Sequence, residues 1–366
     1  MMFYKKELNA IKKSNRFRKR KLFDKNLIDL ASNDYLGLAS NKELFTKAYK
    51  LVLKEEYTSP KSSILVNGYS NIHKVFEERL CEVNGFENGI VVGSGFLANI
   101  ALIESMVRKK DILLIDEEYH ASGMLASSLV QGEVVIFNHN DFDDLENKIK
   151  QYENKRIIIA IEGVYSMSGS VAPMEFYNIA NRYNAILIVD EAHSSGVIGD
   201  NLLGWYDYHK LKIKNNHIKM GTLGKAYGSY GAYILASSHI IEYLENRAKP
   251  IIYSTAPSLF DIALGLISLE YIIKNKKEII QNIKNHQQIV KDILNIEVKS
   301  LILPIEINNN TKVLQLQEVL MEKGFIIGAI RQPTVKKAIL RIILKLDIQN
   351  SILIDFFNQL QEIKQR

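Results

Sequence analysis

The stretch that most restricts the fold is Ala185 to Asp200, reading AILIVDEAHSSGVIGD. Its aliphatic run from Ile186 to Val189 has no helical period and reads as a strand buried on both faces, as in a parallel sheet. The run stops at a carboxylate, Asp190, and His193 follows three residues later. A carboxylate at the end of a buried strand faces the crevice where open α/β sheets bind ligands. It needs a cation or a donor to face.

Related runs recur on either side. Ile112 to Ile115 ends at Asp116, Ile157 to Ile161 ends at Glu162, and His217 to Met220 leads into a glycine-rich turn. Helical patterns separate them: Ser70 to Val83, a helix from near Phe96, another opening at Glu118 to Gly123, one capped by Asp141, and Pro173 to about Tyr183. Alternating strands and helices predict an α/β fold, a three-layer domain with a mainly parallel sheet. Beyond Pro250 the order changes to helices at Leu259 to about Lys274 and Lys277 to about Leu294. Strands at Leu301 to Ile307, Phe325 to Ile330 and Leu340 to Leu344 follow, with helices from Thr311 and Ile348. That layout predicts a smaller α+β C-terminal domain. The expected division is an N-terminal arm over 1–45, a large domain over 46–250 and a small one over 251–366.

With 366 residues, 47% of them hydrophobic, the chain can bury a large core. A net charge of +6, from 47 basic against 41 acidic residues, permits nucleic-acid binding without demanding it. The single cysteine, Cys81, excludes an internal disulfide framework and a cysteine-based zinc cluster. No metal site is expected, and the expected compartment is the cytoplasm. No apolar run approaches the roughly 18 residues of a membrane helix. The basic N-terminus reads as a solvated helix face, and Ala31 to Leu38, rich in turn formers, as a surface loop.

Two motifs are decoys. Gly93-x-Gly95-x-x-Ala98 follows a strand, opens a helix and has Asp116 about 20 residues on, as a dinucleotide fingerprint does. What it certifies is narrower: N–H groups at a helix N-terminus can hold a phosphate. Asp190-Glu-Ala-His193 resembles a helicase Walker B box, yet the chain has no P-loop. Lys225 is the partner that suits Asp190. It lies in an uncharged stretch, Gly221 to Gly228, where removal from water makes an amine a better nucleophile toward carbonyls. A phosphate cradle at Ser94 to Phe96, a carboxylate after a buried strand and a lysine in a glycine turn are what a pyridoxal phosphate site requires.

Seven motifs then carry a family resemblance. They are Ser32 to Gly37, Asn67 to Ser70 with His73, Ser94 to Phe96, Tyr119 to Ser122, Glu162 to Met167, Asp190 to His193 and Thr222 to Lys225. In that order they resemble the α-oxoamine synthases, fold-type I pyridoxal phosphate enzymes that condense an amino acid with an acyl-CoA. The resemblance covers nearly the whole chain. It implies that Lys225 forms the Schiff base, Asp190 pairs with the ring nitrogen, His120 stacks on the ring, and His193 and Ser166 reach the phenolic oxygen. It also implies that Gly95, Phe96 and Thr222 hold the phosphate, with Thr255 reaching it from a partner subunit. Arg341 matches the arginine that clamps the amino-acid carboxylate bidentately, and Arg331 and Asn33 fall among substrate-binding positions. Lys225, His120, Asp190 and His193 are the expected catalytic set.

Within the family, Ala329 to Val335 points to the condensation of L-alanine with a pimeloyl thioester, on CoA or a carrier protein, in biotin biosynthesis. The resemblance further implies a homodimer with shared sites and no nucleic-acid or membrane partner. The alternatives are a glycine and acetyl-CoA condensation in the same family, a Rossmann oxidoreductase, and a nucleic-acid binder using the basic N-terminus. The chain departs from the family pattern at Thr58 to Ile64, where Pro60 and Lys61 intrude and an arginine is missing, and at Gln332-Pro333.

Overall fold

The computed structural model describes residues 3–14, 16–152 and 154–365. They form two compact units, one of Asp34–Ser166 with Ser170–Gln281, the other of Met1–Asn33, Met167–Gly169 and Asn282–Arg366. The smaller unit contributes the first elements of the chain, helix α1 (Lys5–Lys13) and the short strand β1 (Ile28–Asp29).

In the large unit, α2 (Lys42–Val52) starts where the Asn41 side chain accepts the N–H groups of Glu43 and Leu44. Helix α3 (Asn71–Asn84) opens on a capping box between Ser70 and His73 and ends at Gly85, whose φ of 74° suits a residue without Cβ. Then come β2 (Asn88–Val92), α4 (Gly95–Met106), β3 (Ile112–Asp116), α5 (Ala121–Ser127) and β4 (Glu133–Phe137). Helix α6 (Phe142–Ile149) has Asp141 as its cap, accepting the Asp144 N–H at 2.8 Å. The chain continues through β5 (Ile157–Glu162), α7 (Glu175–Arg182), β6 (Ile186–Asp190), α8 (Trp205–Tyr208), β7 (His217–Thr222), β8 (Ala232–Ala236), α9 (Ser238–Arg247) and α10 (Lys249–Ile252).

The seven strands order as β2-β8-β7-β6-β5-β3-β4. All pairings are parallel except those of β8, which runs antiparallel to both β7 and β2. Strands β3 and β5 are buried at every residue. Alternate positions, Leu113 and Ile115 or Ile158 and Ala160, share one cluster with α4, α5, α9 and α10. Their neighbours Leu114 and Ile159 are equally buried, so both faces are covered, and the expected three-layer arrangement with a mainly parallel sheet is present. The segment after Ala31 is not a surface loop: Tyr35, Leu36 and Leu38 are all buried.

Helix α11 (Leu259–Leu294) is one element of 36 residues, where the sequence suggested two. The polar run Lys274 to Lys277 contains neither proline nor glycine. The buried stripe continues through it at Leu269, Ile272, Ile279, Ile283, His286 and Val290. The change of unit falls inside this helix, after Gln281, whereas the sequence suggested a boundary near residue 250.

The small unit continues with β9 (Ile302–Glu306), α12 (Asn310–Glu322), β10 (Phe325–Ile326), β11 (Gly328–Ile330), β12 (Ile339–Ile343) and α13 (Asn350–Gln365). Strands β11-β12-β9 form an antiparallel sheet. The expected strand Phe325 to Ile330 is two strands, because β10 pairs with β1 instead, Ile28 opposite Phe325 in parallel. That pairing draws residues of the suggested N-terminal arm into this unit. Phe325, Phe356 and Phe357 pack tilted and edge to face in its core with successive ring centroids 5.0 Å apart.

Candidate active site

Four parallel strands of the large unit deliver polar residues to the same end of the sheet: Asp116 from β3, Glu162 from β5, Asp190 from β6 and Thr222 from β7. A cavity of about 160 Å³ opens there. Its walls include Gly95 and Phe96 at the start of α4, His120, Asp190, His193, Thr222 and Lys225. Seven of the residues singled out by sequence therefore share one cavity.

Lys225 sits in the turn between β7 and β8. The Gly228 N–H bonds to the Lys225 carbonyl at 3.0 Å and the Leu223 N–H to the Gly231 carbonyl at 2.9 Å. Gly228 has φ 59°, and a Cβ there would lie 2.6 Å from the backbone nitrogen of Ala39, so only glycine closes the turn. The Lys225 Nζ is 2.6 Å from His193 Nε2, and the other ring nitrogen of His193 is 2.5 Å from the Tyr35 hydroxyl. Tyr35 is almost fully buried. The imidazole is thus fixed from both sides.

The Asp190 carboxylate accepts the Ala192 N–H at 2.9 Å through Oδ1 and the Asn99 side-chain amide at 2.8 Å through Oδ2. Glu162 lies beside it in register on the neighbouring strand. Its Oε2 accepts the Ser166 N–H at 3.0 Å, and Oε1 is buried with no hydrogen-bond partner among the described residues. Burial, and then the charge of Asp190, holds the Glu162 carboxyl well above the usual carboxylate range. Burial, with Lys225 acting in the same direction and Asp190 against it, holds His120 below its ordinary value.

The remaining expected residues lie elsewhere. Ser166 is buried behind Glu162. Thr255 is exposed and forms an isolated antiparallel bridge with Ser63. Arg341, Arg331 and Asn33 belong to the small unit. Arg341 is buried there and its Nη1 donates to Asn33 Oδ1 at 3.0 Å. Arg331 lines a cavity of about 230 Å³ with Arg16, Arg18 and Thr334. Burial and the nearby Arg18 hold its guanidinium below the ordinary range.

A sequence model of the class I and II aminotransferases matches residues 25–351. The 8-amino-7-oxononanoate synthase of Helicobacter pylori strain J99 is 48% identical over 351 residues, covering 95% of this chain and 94% of that protein. A putative 8-amino-7-oxononanoate synthase of Aquifex aeolicus is 35% identical over 348 residues, 92% of this chain and 91% of its own. The chain belongs to the α-oxoamine synthase family. The solved 8-amino-7-oxononanoate synthase of Francisella tularensis superposes with a TM-score of 0.76 at 29% identity, covering 93% of this chain and 97% of that one. Serine palmitoyltransferase from S. paucimobilis shares the fold, with a TM-score of 0.88 at 21% identity over 98% of this chain and 95% of its own.

α-Oxoamine synthases are pyridoxal phosphate enzymes, and the donor set of the cavity fits that cofactor. A buried carboxylate is ready for a protonated ring nitrogen, an amine is in reach for an aldehyde, and a helix begins at Gly95 for a phosphate. A Cβ on Gly95 would stand 3.6 Å from the Thr222 Cβ, in the space where the helix opens into the cavity. Membership also disposes of the dinucleotide reading of Gly93. Among the described residues no helix is long and apolar enough to cross a membrane.

Asn99, Ser122, Glu162, Ala192 and Met220 also line the cavity, and sequence reasoning did not place them among the site residues. Glu162 carried the same signal as Asp190, a buried strand stopping at a carboxylate. Asn99 carried a weaker one, lying one helical turn beyond Gly95 on α4. Nothing local distinguishes Tyr35, since its partner His193 is 158 positions away.

Proposed function

We propose that the protein is an 8-amino-7-oxononanoate synthase, joining L-alanine to a pimeloyl thioester of CoA or a carrier protein, with release of the thiol and carbon dioxide. The observation that carries this reading is the 48% identity to a synthase of that name over 95% of the chain. It is supported by the meeting of Lys225, Asp190, His193 and His120 around one cavity.

Bound pyridoxal phosphate supplies an electron sink for the charge left at the amino-acid Cα. Asp190, held by Ala192 and Asn99, faces the ring nitrogen and keeps it protonated. Gly95, Phe96 and Thr222 bind the phosphate, and Thr255 does so from the partner subunit. His193 and Ser166 orient the phenolic oxygen, and His120 covers the ring. Lys225 would hold the aldehyde of the bound cofactor, and its Nζ is the group that would take the Cα proton of the amino acid. Arg341 and Asn33 bind the amino-acid carboxylate. Arg331, with Arg16 and Arg18 around it, offers a cationic lining to the anionic acyl donor. We assign the enzyme to the cytoplasm, as a homodimer. Phe45, Tyr49 and Leu53 form an exposed apolar stripe on successive turns of α2 and its C-cap, of the kind a second subunit covers.

The test joins a spectrum to a turnover assay. Wild-type protein loaded with cofactor absorbs visible light, and Lys225→Ala abolishes both the lysine-dependent band and turnover, by about three powers of ten or more. Alanine with pimeloyl-CoA is the preferred pair. Turnover of glycine with acetyl-CoA, and none with pimeloyl thioesters, overturns the assignment.

A further inference from the structure

One polar chain in the site has a direction that the heavy atoms fix. Asn99, on α4, is 1% exposed and fully engaged. Its Oδ1 accepts the Tyr119 hydroxyl at 2.8 Å. Burial, then Asp190 and Glu162, keeps that phenol protonated by raising it well above the ordinary range, so Tyr119 is a donor. The Asn99 Nδ2 donates to Asp190 Oδ2 at 2.8 Å and to Ser122 Oγ at 2.9 Å. Flipping the amide would set its oxygen against a carboxylate oxygen and its nitrogen against a hydroxyl donor. The Ser122 hydroxyl lies 2.7 Å from His120 Nδ1 and donates to it, because that nitrogen already accepts the Ser122 backbone N–H. The Ser122 backbone N–H reaches the same nitrogen at 3.2 Å, which makes His120 the cap of α5.

We infer that Asn99 and Ser122 are positioning residues that hold His120 as the neutral imidazole, with its proton on Nε2. A ring nitrogen that receives two donors carries no hydrogen. The groups facing His120 act in opposite directions: the Asp190 charge favours the imidazolium, while burial and Lys225 disfavour it. Glu162, which lines the same cavity, is itself held in its neutral form by burial and the charge of Asp190. To protonate Nδ1, the ring must give up both donors and the helix cap. The consequence for the reaction is that His120 offers a hydrogen bond from Nε2, and the proton taken from the substrate goes to Lys225. Only this consequence rests on the proposed function; the protonation state is a property of the folded chain.

The experiment is long-range ¹H–¹⁵N spectroscopy on the full chain carrying ¹⁵N-histidine, with and without pyridoxal phosphate, the His120 signals assigned through His120→Gln. Nδ1 should appear unprotonated and Nε2 protonated from pH 7 to 9. Ser122→Ala should raise the His120 titration midpoint by about one pH unit, the worth of one lost hydrogen bond, and mix the two tautomers. Ser122→Thr, which keeps the hydroxyl, should restore the wild-type pattern. Asn99→Leu, which leaves the Ser122 hydroxyl in place, should raise the midpoint less than Ser122→Ala; if it does not fold, the wild-type tautomer and the Ser122 pair still decide. A proton on Nδ1 in the wild type, or an unchanged titration in folded Ser122→Ala, overturns the inference. A different substrate preference leaves these spectra as expected, whereas turnover of alanine with pimeloyl-CoA by a protein showing Nδ1–H refutes the relay alone.

Discussion

The pairing of Glu162 with Asp190 makes a quantitative demand on the site. The two residues are in register on adjacent parallel strands, so their side chains leave the same face with strand axes about 4.8 Å apart. Two full negative charges at that separation, in an effective dielectric of about 20, repel by about 3.5 kcal/mol. Both side chains are almost fully buried. Asp190 receives two donors, one of them a side-chain amide. Glu162 has one oxygen with no partner among the described residues, so Glu162 is the member that keeps its proton. Glu162→Gln, which preserves shape and neutrality, should therefore leave kcat/KM within about fivefold, a change of about 1 kcal/mol. Asp190→Asn removes the charge the cofactor needs and should cost about 3 kcal/mol or more, over a hundredfold. Steady-state rates with alanine and pimeloyl-CoA from pH 6.5 to 9, with cofactor content measured by absorbance, separate the two. A Glu162→Gln enzyme as damaged as Asp190→Asn would mean that the Glu162 charge is used, and the reasoning would fail.

Two further predictions concern stability. His217 is fully buried, and burial followed by Lys214 lowers its pKa to about 4. Below the ordinary value near 6.5 the unfolded chain binds a proton that the folded one refuses. Stability is therefore complete above about pH 6.5 and falls toward pH 4, by about 2.5 kcal/mol at pH 4.5; denaturant melts of His217→Asn should show that much less loss between pH 7.5 and 4.5, and equal slopes would refute it. Lys219 and Glu191 form a buried ion pair at 3.8 Å, and Glu191 also accepts from Ser194 and Trp205. Lys219→Met should destabilise by about 3 kcal/mol in the same melts. Adding Glu191→Gln should recover part of that, and strict additivity of the two losses would count against a coupled pair.

How much of this was legible follows from which signals are local. Asp190, Glu162 and Asp116 end runs of aliphatic residues, and a run that stops at a carboxylate marks the functional end of a parallel strand. Lys225 lies in a turn whose composition has a backbone reason, Gly228 at φ 59°. The break proposed at Lys274 failed because four polar residues look like a linker, while the buried stripe passes beneath them at helical spacing. Residues of the suggested N-terminal arm fall in the small unit because β1 finds its partner in β10, about 300 residues on. Asn99 and Tyr35 were missed for the same reason: each earns its place from partners, Asp190 and His193, that only the fold brings near.

Strand β2 has a single strand neighbour, β8, and β8 ends at Ala236. On a growing chain, β3, β4, β5, β6 and β7 can pair in order of synthesis, but β2 must wait about 140 residues for the strand it lies against. The start of α4 hangs on β2 through two residues, Gly93 and Ser94. The end of the pocket at Gly95, where the proposed phosphate site lies, is thus completed only once β8 is in place. Long-range pairing of this sort slows folding, so this edge of the sheet is the part whose formation waits on the longest stretch of chain.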